Sequence, residues 1–148
     1  MSESLWIIID TSGSMLETGK RFIVRTFVRQ VEQYIRYYKN EINLKLVSVN
    51  DEIEIIDEDI SKDDYPQQFM DCKGKFDAIK LIDKLKQASG KFLLITDGFS
   101  LNTYTAIKNW EKGLQKDVLR VVKIGEDISL LEKSNKPEDI FQILDNWI

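Results

Sequence analysis

Leu5-Trp6-Ile7-Ile8-Ile9-Asp10-Thr11-Ser12-Gly13-Ser14-Met15 is the stretch on which the fold turns. Its first half is an unbroken apolar run, which a strand shows when both its faces are covered, as in a parallel sheet. The second half changes abruptly to small polar residues and glycine, the composition of a turn. A buried strand that stops at an aspartate and then breaks is therefore expected at the centre of the sheet. Residues 91–96 repeat the pattern as Lys-Phe-Leu-Leu-Ile-Thr and likewise break at Asp97-Gly98. A third apolar strand is expected over 119–124, ending at Gly125.

Helical periodicity fills the intervals. Over 21–38, Ile23, Phe27, Val31, Tyr34 and Tyr38 recur three or four apart, with Val24, Val28 and Ile35 widening the stripe, so a long amphipathic helix is predicted. Phe76, Ile79, Ile82 and Leu85 predict a second helix that stops at Ser89-Gly90. A third begins near Thr103 and carries Ala106, Ile107, Trp110 and Leu114. Residues 44–49 and 53–56 are rich in β-branched side chains and flank Asn50-Asp51, a pair that tolerates positive φ, so an antiparallel hairpin is predicted at a sheet edge. Residues 61–75 lack a period and contain Pro66, which predicts a long irregular connection. Residues 140–148 fit either a helix or a short strand closed by a turn. Strands alternating with helices imply an α/β fold: a doubly wound, mostly parallel sheet with one antiparallel edge strand and helices on both faces. The 148 residues are expected to form a single domain, 1–148.

Composition removes several chemistries. The chain has no histidine, which excludes Ser-His-Asp and Cys-His catalysis and most zinc sites. Its one cysteine, Cys72, forms no internal disulfide and fits a reducing compartment. With 21 Lys+Arg against 25 Asp+Glu, the net charge of −4 argues against wholesale nucleic-acid binding. The apolar runs are far shorter than a membrane helix needs, and the amino terminus carries no secretory pattern, so a cytoplasmic protein without membrane association is expected. Carboxylates crowd residues 51–64, and lysines follow at 73, 75, 80, 84, 86 and 91, a distribution suited to solvated surfaces or to docking a charged partner.

The chemistry-bearing candidates are Asp10, Ser12, Ser14 and Asp97. In an open parallel sheet, ligands gather beyond the carboxyl ends of strands where the strand order switches. Should the two aspartate-ended strands be neighbours, two carboxylates and two hydroxyls meet there. All are hard oxygen donors, suited to Mg²⁺, Mn²⁺ or Ca²⁺. Competing patterns are weaker. A haloacid-dehalogenase-type phosphatase needs an aspartate where Ser12 stands; an EF-hand over 57–68 lacks its glycine and final glutamate; no phosphate-binding loop occurs. The three tryptophans are expected to be packing residues.

Asp10-Thr11-Ser12-Gly13-Ser14-Met15 after one apolar strand, and Ile95-Thr96-Asp97-Gly98 after another, resemble the von Willebrand factor A family and its metal-ion-dependent adhesion site. The resemblance spans nearly the whole chain. It implies a non-catalytic interaction module in which Ser12 and Ser14 contact a divalent cation directly, Asp10 and Asp97 act through water, and a partner's Asp or Glu completes the coordination. The family's threonine ligand falls on Gly74, flanked by Lys73 and Lys75, so either water takes the threonine's place beside the ion or one of these lysines reaches in and replaces the ion. The chain is similar to small bacterial intracellular modules associated with tellurium resistance or AAA+ ATPases, which implies an adaptor with such a partner. A metal-free assembly adaptor, docking through the acidic hairpin and the lysine-bearing helix, is the second expectation. Hydrolysis is the third.

Overall fold

The computed structural model describes residues 3–56, 60, 65–125 and 135–148. Its centre is a five-stranded sheet of order β3-β2-β1-β4-β5, made of β1 (Ser4–Asp10), β2 (Asn43–Val49), β3 (Ile53–Ile56), β4 (Lys91–Thr96) and β5 (Leu119–Lys123). The β1 strand pairs in parallel with β2 and β4, and β4 in parallel with β5, whereas β3 is the antiparallel edge. Four α-helices accompany it: α1 (Lys20–Tyr38), α2 (Ala78–Leu85), α3 (Leu101–Lys112) and α4 (Ile140–Leu144).

The alternation of side chains along β1 divides the core. Leu5, Ile7 and Ile9 face Val24, Phe27, Val28 and Val31 of α1 and Ile143 and Leu144 of α4. Trp6 and Ile8 face Ala78, Leu81 and Leu85 of α2 and Ile107 of α3. Because successive strand residues point to opposite faces, a strand covered on both sides must be apolar at every position, which is why residues 5–9 carry no polar side chain. The doubly wound architecture expected from the sequence is the one observed.

Three local expectations differ from the structure. The β2-β3 turn uses no positive φ at Asn50 or Asp51. The Asn50 side chain instead accepts from the Glu52 N–H at 2.9 Å, and the Asn50 N–H donates to the Glu52 carbonyl at 3.1 Å, so a side chain closes the turn that backbone strain would otherwise have to make. The buried stripe of α1 runs through Val24, Phe27, Val28, Val31 and Ile35, while Ile23 and Tyr38 lie on its exposed flanks. On α2, Ile79 is 75% exposed: the helix begins at Ala78, and the sheet is met by Ala78, Leu81 and Leu85.

The carboxy-terminal ambiguity resolves to a helix. Residues Pro137–Asp139 form one turn of 3-10 helix ahead of α4. Trp147, buried beyond α4, donates from its indole to the Asp117 carbonyl at 2.6 Å. Trp6 is also buried, and Trp110 is half-buried against Phe92, as expected of packing residues. Among the described residues no helix is long and apolar enough to cross a membrane. Much of the acidic hairpin edge, including Asp57, Asp59, Asp63 and Asp64, lies outside the described residues.

Candidate functional site

The strands β1 and β4 are neighbours, so their carboxyl ends lie side by side, at the point where the chain winds outward in both directions. This brings Asp10, Ser12, Ser14 and Asp97 to one cavity of about 310 Å³, whose wall continues through Phe76, Phe99, Ser100 and Thr103. The Phe76 and Phe99 rings lie 5.6 Å apart at its mouth, and Ser100 caps α3 by accepting from the Thr103 N–H. A larger depression of about 880 Å³ lies along the exposed flank of α1. Its far wall is formed by Lys123, Gly125, Lys136 and Pro137.

Asp10 is almost wholly enclosed, and both its oxygens are taken by protein donors. The Ser12 N–H donates to Oδ1 at 2.8 Å, and the Thr96 hydroxyl donates to Oδ2 at 2.6 Å. Burial pushes its carboxyl up from 3.8 to about 6; the Ser12 and Thr96 hydrogen bonds oppose the rise, and the nearby Asp97 charge adds to it. Ser12 and Ser14 place their hydroxyl oxygens 3.3 Å apart. Thr11, between Asp10 and Ser12, turns away, and its hydroxyl shares a hydrogen bond with the Ser48 hydroxyl at 2.8 Å.

The loop expected to carry the threonine ligand is stitched to the first motif by backbone. The Gly13 N–H donates to the Gly74 carbonyl at 2.9 Å, and the Lys73 N–H donates to the Thr11 carbonyl at 2.9 Å. Gly74 has φ +70°, and a Cβ built on it would lie 1.9 Å from a carboxylate oxygen of Asp51. A threonine is thus disfavoured here by backbone conformation, while the exposed Asp51 carboxylate can swing aside.

The ammonium that meets Asp97 belongs neither to Lys73 nor to Lys75, both of which are exposed, although Lys75 lines the cavity. It is that of Lys20, whose Nζ lies 3.0 Å from Asp97 Oδ2, with side-chain exposures of 3% and 8%. The rim carboxylate of Glu17 is 3.8 Å from the same nitrogen. Two consecutive left-handed residues, Thr18 (φ 50°) and Gly19 (φ 73°), turn the chain so that Lys20 opens α1 facing inward. Sequence reasoning missed this residue, although a signal was available. Lys20 precedes Val24, Phe27, Val28 and Val31 at the spacing of the apolar stripe, and a lysine on a buried stripe needs a counter-charge.

The oxygen chemistry of Ser12 and Ser14 suits a hard cation, but the charge of the site does not. Asp97 is already paired with an ammonium at hydrogen-bonding distance, each Asp10 oxygen already accepts one protein hydrogen bond, and the threonine position is glycine. Among the described residues no three acidic, thiol or imidazole groups converge as a metal ligand set. As arranged, these residues do not fit a divalent ion.

The fold defined by this sheet is von Willebrand A-like. The SpRpn10 VWA domain aligns with 97% of this chain and 80% of its own at 14% identity and a TM-score of 0.59. An aerotolerance-related membrane protein from Bacteroides fragilis NCTC 9343, carrying multiple mutations to serines, aligns over 83% of this chain and 68% of its own at 16% identity and a TM-score of 0.55. Proximal thread matrix protein 1 from the mussel byssus aligns over 98% of this chain at 12% identity and a TM-score of 0.62, and the chain spans only 44% of that protein. No family model matches the chain, and no curated protein matches it in sequence.

Proposed function

We propose that this protein is a non-catalytic interaction module that docks a partner protein over the cavity at the carboxyl ends of β1 and β4. The carrying observation is the convergence there of Ser12, Ser14, Ser100 and Thr103 hydroxyls beside the Phe76–Phe99 pair. Hydroxyls supply directional hydrogen bonds and the two rings supply apolar area, the combination that anchors a protein interface. The same geometry argues against hydrolysis: the Ser12 hydroxyl meets the Ser14 hydroxyl rather than a general base. The von Willebrand A-like fold commonly serves protein–protein recognition, in agreement with this reading. An adaptor beside an AAA+ ATPase or a tellurium-resistance-type complex, in the cytoplasm, is the cellular setting that the resemblance proposes.

Affinity capture tests the assignment. A partner retained by the wild type is expected to be lost with Ser14→Ala or Phe99→Ala and kept with Tyr37→Ala, which lies on an exposed stretch of α1. Capture by the two cavity variants as strong as by the Tyr37 variant would remove the cavity from the interface.

A further inference from the structure

Buried charges persist only when paired or bound to an ion, because leaving water costs several kcal/mol per group. Asp97 and Lys20 meet this requirement with each other at 3.0 Å, both nearly sealed from solvent. Together with Asp10 the enclosed groups carry two formal negative charges and one positive. A divalent ion added to that set would overcompensate it, and would approach an ammonium fixed on the very carboxylate meant to attract the ion.

We infer that the Lys20 ammonium, 3.0 Å from Asp97, is the counter-charge this carboxylate carries in place of a divalent ion, so that docking is independent of metal. The docking part rests on the cavity reading above; the cation assignment stands on Lys20 and Asp97 alone. Lys20 in this role is a positioning residue. It holds the Asp97 loop against the entrance of α1. A tethered ammonium cannot be chelated or diluted away, so the site is built permanently.

The experiment compares wild type, Lys20→Met and Lys20→Met/Asp97→Asn by Mn²⁺ titration and by melting with and without millimolar MgCl₂. Methionine keeps the length of the lysine stem and removes its charge, while the double variant removes both buried charges and is the control for folding. Wild type is expected to take up no stoichiometric Mn²⁺ and to melt at the same temperature in Mg²⁺. Lys20→Met is expected to bind one Mn²⁺ at least about tenfold more tightly and to regain stability only with the ion, a gain that the double variant lacks. Stoichiometric Mn²⁺ uptake by wild type equal to that of Lys20→Met overturns the inference. So does a Lys20→Met protein that binds no Mn²⁺, because the lysine would then not be what excludes the ion. Partner capture adds an independent arm: unchanged capture in EDTA agrees with an internal cation, and capture abolished by EDTA refutes it while leaving the cavity assignment intact. Loss of that assignment is read separately, from the Ser14 and Phe99 variants.

Discussion

Asp10 couples the site to stability through its proton. Its folded value of about 6 lies above the ordinary 3.8, so folding favours the protonated form. Between these values the unfolded chain releases the proton while the folded chain retains it. Stability therefore falls as pH rises through that window, by about 3 kcal/mol in all, and is flat above it. Asp10→Asn keeps an oxygen for the Ser12 N–H and offers an amide N–H to Thr96, whose hydroxyl can turn to the Gly98 carbonyl at 3.2 Å. The variant is expected to be more stable than wild type at pH 7, with the difference vanishing towards pH 4; urea midpoints across that range would show it, and parallel curves would contradict it. Gly74 makes a second prediction at this scale. Gly74→Ala is expected to cost about 1–3 kcal/mol, through positive φ and through the Asp51 carboxylate that a Cβ would strike. In the Asp51→Ala background the cost should fall but not disappear, because the conformational part remains.

At the scale of elements, the carboxy-terminal segment is held to the sheet by cation and indole together. Trp147 packs under the Arg120 guanidinium, 4.7 Å from its ring centre, and the Lys91 ammonium bonds to the Trp147 carbonyl. Arg120 also bonds to the Ile143 carbonyl and to the Asp117 carboxylate, which that guanidinium holds below its ordinary value. The fastening thus joins α4 to β4 and β5. Trp147→Ala is expected to cost about 3–5 kcal/mol and to raise amide exchange in α4 and β5 well before α1 is affected. Uniform loss of protection across the chain would show instead that α4 is not a separable unit. Helix α1 was legible as an element from its periodicity, but its first residue was not. The turn at Thr18 and Gly19 moves the helix start to Lys20, and that single position changes the electrostatics of the site.

For the whole molecule, the central question is whether two apolar cores behave as one. Both are nailed to β1, with Ile7 on one face and Ile8 on the other, and both are fully buried. Phe27→Ala and Leu81→Ala empty opposite faces and are each expected to lose about 2–5 kcal/mol. Each should still unfold in one transition, coincident by fluorescence and by far-UV circular dichroism. Transitions that separate by probe would mean that the faces fold independently.

Strand and helix placement and the antiparallel edge were readable from residues alone, because hydrophobic period and strand-end turns are local signals. The meeting of Asp10, Ser12, Ser14 and Asp97 depended instead on β1 and β4 being neighbours, which the sequence left conditional. The turn at Asn50 was misread, since a side-chain hydrogen bond can do what positive φ does and sequence shows no difference. Which cation faces Asp97 was decided only by the tertiary structure. A buried pair between Lys20 and Asp97 spans 77 positions of chain, and no periodicity records a contact whose existence depends on how a helix start is aimed at the end of a distant strand.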